Sequence, residues 1–131
     1  MTQEEKLLLL KDLCARLPYK VKAKDIEEEP PFTIIYFDGC DFIDDEEWEH
    51  KIESVKPYLR PMDDMTEEEE EELRLLKNQL VDCNETNDEK FNGIISEIHN
   101  LYFSHHLDFM GLIPKGLALE APKDMYNTNN E

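Results

Sequence analysis

The chain has 131 residues, enough for one compact domain of ordinary size. Against 14 lysines and arginines stand 32 aspartates and glutamates, a formal net charge of −18. Direct nucleic-acid binding needs a field of cations to release counterions, and a membrane-surface anchor needs a polybasic segment, so this balance argues against both. Hydrophobic residues make up 40% and fall in clusters, which supports a folded core rather than an acidic disordered tail.

Thr2 with Glu5 forms a capping box, and Leu7, Leu10, Cys14 and Leu17 follow at helical spacing until Pro18. The reading is an amphipathic helix over 3–17, with Cys14 on its core face. Tyr19, Val21 and Ala23 then alternate with Lys20, Lys22 and Lys24, the pattern of a strand with one wet face, its lysines suited to an edge. After the turn-rich 27–31 comes Phe32-Thr33-Ile34-Ile35-Tyr36-Phe37, a nearly continuous apolar strand. Asp38-Gly39 marks a turn, with a bulged continuation over 40–43. Trp48, His50 and Ile52 alternate with charged residues over 47–55, which predicts a strand, although Trp48, Ile52 and Val55 also fit a helix. Pro57 and Pro61 bracket an extended connector.

Thr66 with Glu69 is a second capping box, opening a helix through Asp82 with Leu73, Leu76 and Leu80 as its stripe. A polar loop over 84–88 leads to a third helix, 88–105, with Phe91, Ile94, Ile95, Ile98, Tyr102 and His105 on one face. The apolar tail at 112–113 and 117–119 is expected to pack back as a short strand, and 127–131 to fray. The fold class is therefore α+β. An N-terminal helix precedes a small antiparallel sheet of about three or four strands, SH3-like or barrel-like, then two further helices and a closing tail. All of 1–131 is one domain, 1–62 supplying the helix and sheet half and 66–126 the helical half.

The segments Tyr-Lys-Val-Lys-Ala-Lys (19–24), Pro-Tyr-Leu-Arg-Pro-Met (57–62) and the stretch from His105 to Pro122 resemble a family of small uncharacterised proteins encoded in gut Bacteroidales genomes, their prophages and other mobile elements. The resemblance is best over 7–17, 57–73 and 100–126. It implies a bacterial or phage setting and brings no chemistry and no site residue with it.

Cys14, Cys40 and Cys83 are an odd, widely spaced set, which fits reduced thiols in a cytoplasmic protein better than a disulfide framework. The N-terminus lacks a basic n-region, and Leu7–Leu10 is too short for a signal peptide or a span. His99, His105, His106 and Asp108 invite a metal reading, but His99 and His106 lie about 10.5 Å apart along a helix, so one ion would have to use His106 and Asp108 plus ligands from elsewhere. The histidines near a helix C-terminus are explained by packing and the helix dipole. From Asp38 or from Asp41, an EF-hand register puts Cys40 and Phe42, or Ile43, where oxygen ligands are required. Acidic neighbours disfavour a Cys40 thiolate. No catalytic residue, cofactor or metal is assigned.

What stands out is charge distribution. Residues 1–24 hold six basic and three acidic side chains, net +3, so the remainder carries −21. One acidic block comprises Asp38, Asp41, Asp44, Asp45, Glu46, Glu47 and Glu49; a second comprises Asp63, Asp64, Glu67, Glu68, Glu70 and Glu71. If they form one face, they would attract a basic groove on a protein partner, in the manner of a nucleic-acid mimic. The expected function is thus an accessory role through protein–protein contact. Alternatives are a metal-dependent or hydrolytic enzyme using His106 and Asp108, and a homo-oligomeric component burying Phe103, Leu107 and Phe109 against a copy of itself.

Overall fold

Thr2 and Thr66 each start a helix by the same device. The Thr2 hydroxyl accepts the Glu5 amide at 3.0 Å while the Glu5 carboxylate accepts the Thr2 amide at 2.8 Å. Thr66 and Glu69 repeat the exchange at 3.1 and 2.9 Å. Two otherwise orphaned donors are satisfied at each helix start. The computed structural model describes residues 1–26, 31–82 and 88–126. Its elements are α1 (Gln3–Arg16), β1 (Lys22–Asp25), β2 (Phe32–Phe37), β3 (Phe42–Asp44), β4 (Glu49–His50), β5 (Val55–Leu59), α2 (Glu67–Asp82), α3 (Asp88–Ser104) and β6 (Leu119–Glu120). Cys83, most of the 84–88 loop and 127–131 lie outside the described residues.

The chain is α+β, as the sequence predicts, but its sheet has six strands instead of three or four. The order is β4-β3-β2-β1-β5-β6, antiparallel throughout except for the parallel β5–β6 pair. Three local readings change. The lysine-bearing β1 is not an edge; it lies between β2 and β5. The region 47–55 yields only the two residues of β4, followed by a 3-10 turn at Ile52–Ser54 that redirects the chain into β5. The Pro-bracketed connector is β5 itself. Pro57 lies opposite Ala23, and β6 pairs only with Tyr58 and Leu59, so no ladder on that side reaches the missing N–H.

The main core collects Leu9 and Leu13 of α1, Val21, Ala23, Ile34, Phe42, Val55 and Leu59 from the sheet and its margins, and Leu112, Leu117 and Ala118 from the tail. A second cluster, Leu73, Ile94, Ile98 and Leu101, joins α2 to α3. The tail therefore returns to the sheet core, and the second half of the chain does not pack on itself alone. On α1 the buried stripe is Leu9, Asp12, Leu13 and Arg16, while Leu7 and Cys14 are exposed. Four consecutive leucines leave the helix rotation open to sequence reasoning. The buried Asp12–Arg16 pair marks the inward face, and polar residues there are what an apolar-stripe reading discards.

Candidate functional site

His106 and Asp108 sit where the chain leaves α3 and braces against the end of β5. His106 adopts a left-handed backbone, φ +57°. Its carbonyl accepts the Arg60 amide at 2.7 Å, and the Asp108 amide donates to the Arg60 carbonyl at 2.8 Å. The His106 Nε2 lies 2.9 Å from the Tyr19 carbonyl. A carbonyl only accepts, so Nε2 carries the proton and Nδ1 keeps the lone pair. The ring stacks on Tyr126 with centroids 4.1 Å apart. Burial, reinforced by the nearby Arg16 guanidinium, lowers the imidazole pKa to about 4, so it is neutral at pH 7. The Asp108 carboxylate accepts the Leu112 and Ile113 amides at 2.7 and 2.9 Å. The two side chains thus address different partners, and both act as backbone braces. Among the described residues, no group of three or more His, Cys, Asp or Glu could hold a metal.

Next to them Arg16 and Asp12 form a fully enclosed ion pair, Nε and Nη2 reaching the two carboxylate oxygens at 2.8 and 3.0 Å. Nη2 also donates to the Leu107 carbonyl at 2.6 Å, and the guanidinium lies 5.2 Å from the Phe103 ring centroid. Burial pushes the Asp12 carboxyl up, against the pull of Arg16. The Tyr126 hydroxyl accepts the Lys22 amide at 2.7 Å and donates to the Tyr58 carbonyl at 2.8 Å, latching the tail across β1 and β5. Arg60 closes the arrangement: both its terminal nitrogens contact Glu69 at 2.8 Å, and His105 Nδ1 meets the same carboxylate at 3.0 Å. Burial pushes Glu69 up, but Arg60 and the Thr66 amide outweigh it and hold the carboxyl low. These bonds tie α1, β1, β5, α2, the α3 exit and the tail together.

A third polar cluster escaped the sequence reading. His50 Nδ1 is 2.8 Å from Asp25 Oδ2, and its Nε2 is 2.8 Å from Asp44 Oδ2. Phe32 stacks on the imidazole, 3.9 Å between centroids and 7° from parallel. In a flat sheet β1 and β4, with β2 and β3 between them, would lie about 14 Å apart. A hydrogen bond spanning them shows that the sheet curls over its inner face. Burial draws the His50 pKa down, but the two carboxylates outweigh it and raise it above the ordinary value. With a carboxylate oxygen on each ring nitrogen, this imidazole is committed to the fold at both ends. The strand alternation did point His50 inward; its carboxylate partners, distant in sequence, had no local signal.

Asp44, placed by the sequence among the surface acids, is therefore inside, 6% exposed. Burial pushes its carboxyl up, but His50 and the Glu46 and Trp48 amides hold it below the usual range. The other acids of the first block straddle β3. Asp38 and Asp41 precede it and Asp45, Glu46 and Glu47 follow it, across a three-residue strand of about 10 Å; Glu49 is exposed on β4. In the second block Asp63, Asp64, Glu67, Glu68, Glu70 and Glu71 are exposed, Asp64 paired with Arg60 and Glu71 with Arg74. At 100° per residue, consecutive glutamates wrap α2 instead of sharing a face, and Glu69 is the one turned inward. β2 and β1 separate β3 from β5, so the two blocks share no strand pairing.

Leu107 is fully buried, and Phe109 packs internally against His99, Tyr102 and Phe103 with centroids 4.7–5.5 Å apart. Cys14, expected in the core, is exposed, and it and Cys40 are free thiols. An apolar cleft of about 150 Å³ opens between α1 and the β2–β3 turn, lined chiefly by Lys6, Leu7, Leu10, Phe37, Cys40 and Ile52. No described helix is long and apolar enough to cross a membrane. No protein-family description, curated protein or solved structure matches the chain.

Proposed function

We propose that this protein is a non-enzymatic accessory module that acts by contact with a basic protein partner, in the cytoplasm of a bacterial or phage system. The supporting observation is how the polar groups are used. The enclosed ones, Asp12, Arg16, Asp25, Asp44, His50, His106 and Asp108, are engaged in holding the fold, while the acids of 45–49 and 67–72, apart from Glu69, face solvent. Exposed carboxylates of one sign accelerate encounter with a cationic surface and make it salt-sensitive. Nucleic-acid mimicry is the stricter form of this reading and needs one continuous acidic face. The strand order, with a 3-10 turn between β4 and β5, favours an SH3-like barrel for β1–β5, a compact platform for such contacts.

The test is capture from host lysate with the immobilised chain. Recovery of a basic partner at low salt, lost at high salt and lost on replacing Glu67, Glu68, Glu70 and Glu71 by lysine, is the expected result. Capture of no basic partner at either salt refutes the reading.

A further inference from the structure

We infer that the cleft between α1 and the β2–β3 turn is a docking groove for one large apolar side chain of a partner segment that carries lysine or arginine beside that anchor. This rests on the proposed partner-binding role and gives it a location.

The cleft exists because of the rotation of α1. Turning Leu9 and Leu13 into the core leaves Leu7, 57% exposed, and the half-buried Leu10 facing Phe37 and Ile52 across an open gap. A volume of about 150 Å³ matches the engineered apolar cavity that admits benzene, and lies below the roughly 300–1,000 Å³ of small-molecule sites. It suits one aromatic or branched aliphatic side chain. The chain's own undescribed stretches cannot supply that anchor. Residues 27–30 are Glu-Glu-Glu-Pro, 83–87 are Cys-Asn-Glu-Thr-Asn and 127–131 are Asn-Thr-Asn-Asn-Glu, none with a large apolar side chain.

Charge selects the occupant further. Beside the lining residues stand Glu4, Glu5, Asp38, Asp41 and Glu53 against Lys6, Lys11 and Lys51, an excess of two acids, with Asp38 and Asp41 together at the β2–β3 turn. Lys6, the cation in the lining, is held by Glu53 at 3.1 Å. The Asp38 carboxylate accepts the Cys40 and Asp41 amides at 2.8 Å each, which keeps its pKa low and its charge in place. The acidic excess lies at the β2–β3 turn, because Glu53 is taken up by Lys6 and Lys51; with the net charge of −18 it disfavours a second copy of this chain and favours a cationic segment. The apolar contact would hold the complex and the rim would steer it.

The test is selection of displayed random peptides on the full chain, followed by titration of synthetic versions of those enriched. Expected are peptides with one Phe, Trp, Leu or Met among lysines and arginines, slowing alkylation of Cys40 but not of Cys14. Affinity should fall by about tenfold or more when the anchor becomes alanine or when Leu7→Glu is introduced, the exposure of Leu7 leaving the fold intact. Glu4→Gln with Asp41→Asn should slow association and flatten its salt dependence. The groove is overturned if nothing enriches, if enriched peptides bind Leu7→Glu unchanged, or if Cys40 alkylation is unaffected. Salt-sensitive lysate capture that survives Leu7→Glu would leave the partner-binding role standing and remove only this location for it.

Discussion

His50 and His106 are almost equally enclosed, 3% and 4% exposed, yet their pKa values move in opposite directions. Burial disfavours the imidazolium at both. At His50 a carboxylate on each nitrogen reverses that penalty; at His106 a carbonyl faces one nitrogen and the Arg16 guanidinium adds to the penalty. Depth alone therefore does not set the charge of a buried histidine. The sign of its neighbours does, and in this fold the two signs have been placed at different nodes. One pins the β3–β4 turn to β1, the other pins the tail and the α3 exit to the turn that follows α1.

The sharpest way to break the comparison is to remove His50. His50→Phe leaves Asp25 and Asp44 enclosed without the imidazolium between them, and breaking a buried pair in this way costs about 3–5 kcal/mol. Urea unfolding at pH 7 measures it. A loss below about 1 kcal/mol would mean that the clamp carries no charge.

The next effect is a pH dependence of opposite sign at the two nodes. The folded pKa of His106 is depressed, so its contribution is fully present above the unfolded value of about 6.5 and is lost as pH falls through about 4. That amounts to about 3 kcal/mol shed on acidification. His106→Asn, a residue tolerant of the left-handed backbone, should remove that part of the acid limb. The folded pKa of His50 is raised, so its contribution is complete below about 6.5 and fades as pH climbs through the folded value. Imidazole proton shifts followed by NMR would resolve the two: His50 should titrate above its ordinary value and His106 at about 4. A common midpoint for both would overturn the assignment.

Smaller again is Asp44→Asn, which keeps the shape of the turn but weakens its bond to His50, at about 1–3 kcal/mol. Thr66→Ala removes the cap of α2 for about 1 kcal/mol. Glu68→Gln, exposed on α2, should stay within about 0.5 kcal/mol and so separates charge that serves the fold from charge that does not.

Helix starts, helix lengths and the α+β class were legible from local chemistry: two capping boxes, the leucine stripe of α2 and the β-rich run of β2 are signals within a few residues of each other. β5 was hidden because Pro57 forbids a strand only where its N–H is needed, which depends on what lies alongside. The stripe of α1 was misread because an ion pair can be buried when its partner, the Leu107 carbonyl and an aromatic ring enclose it, and those groups come from the far end of the chain. Composition and clustering by themselves pointed to a folded, strongly acidic chain. Which carboxylates are surface and which are enclosed was decided by how the elements pack. A carboxylate's cost of burial depends on the cation or amide that meets it: Asp12 and Asp108 meet theirs within five residues but are enclosed only by the fold, while Asp44 and Glu69 gain His50 and Arg60 when the elements come together.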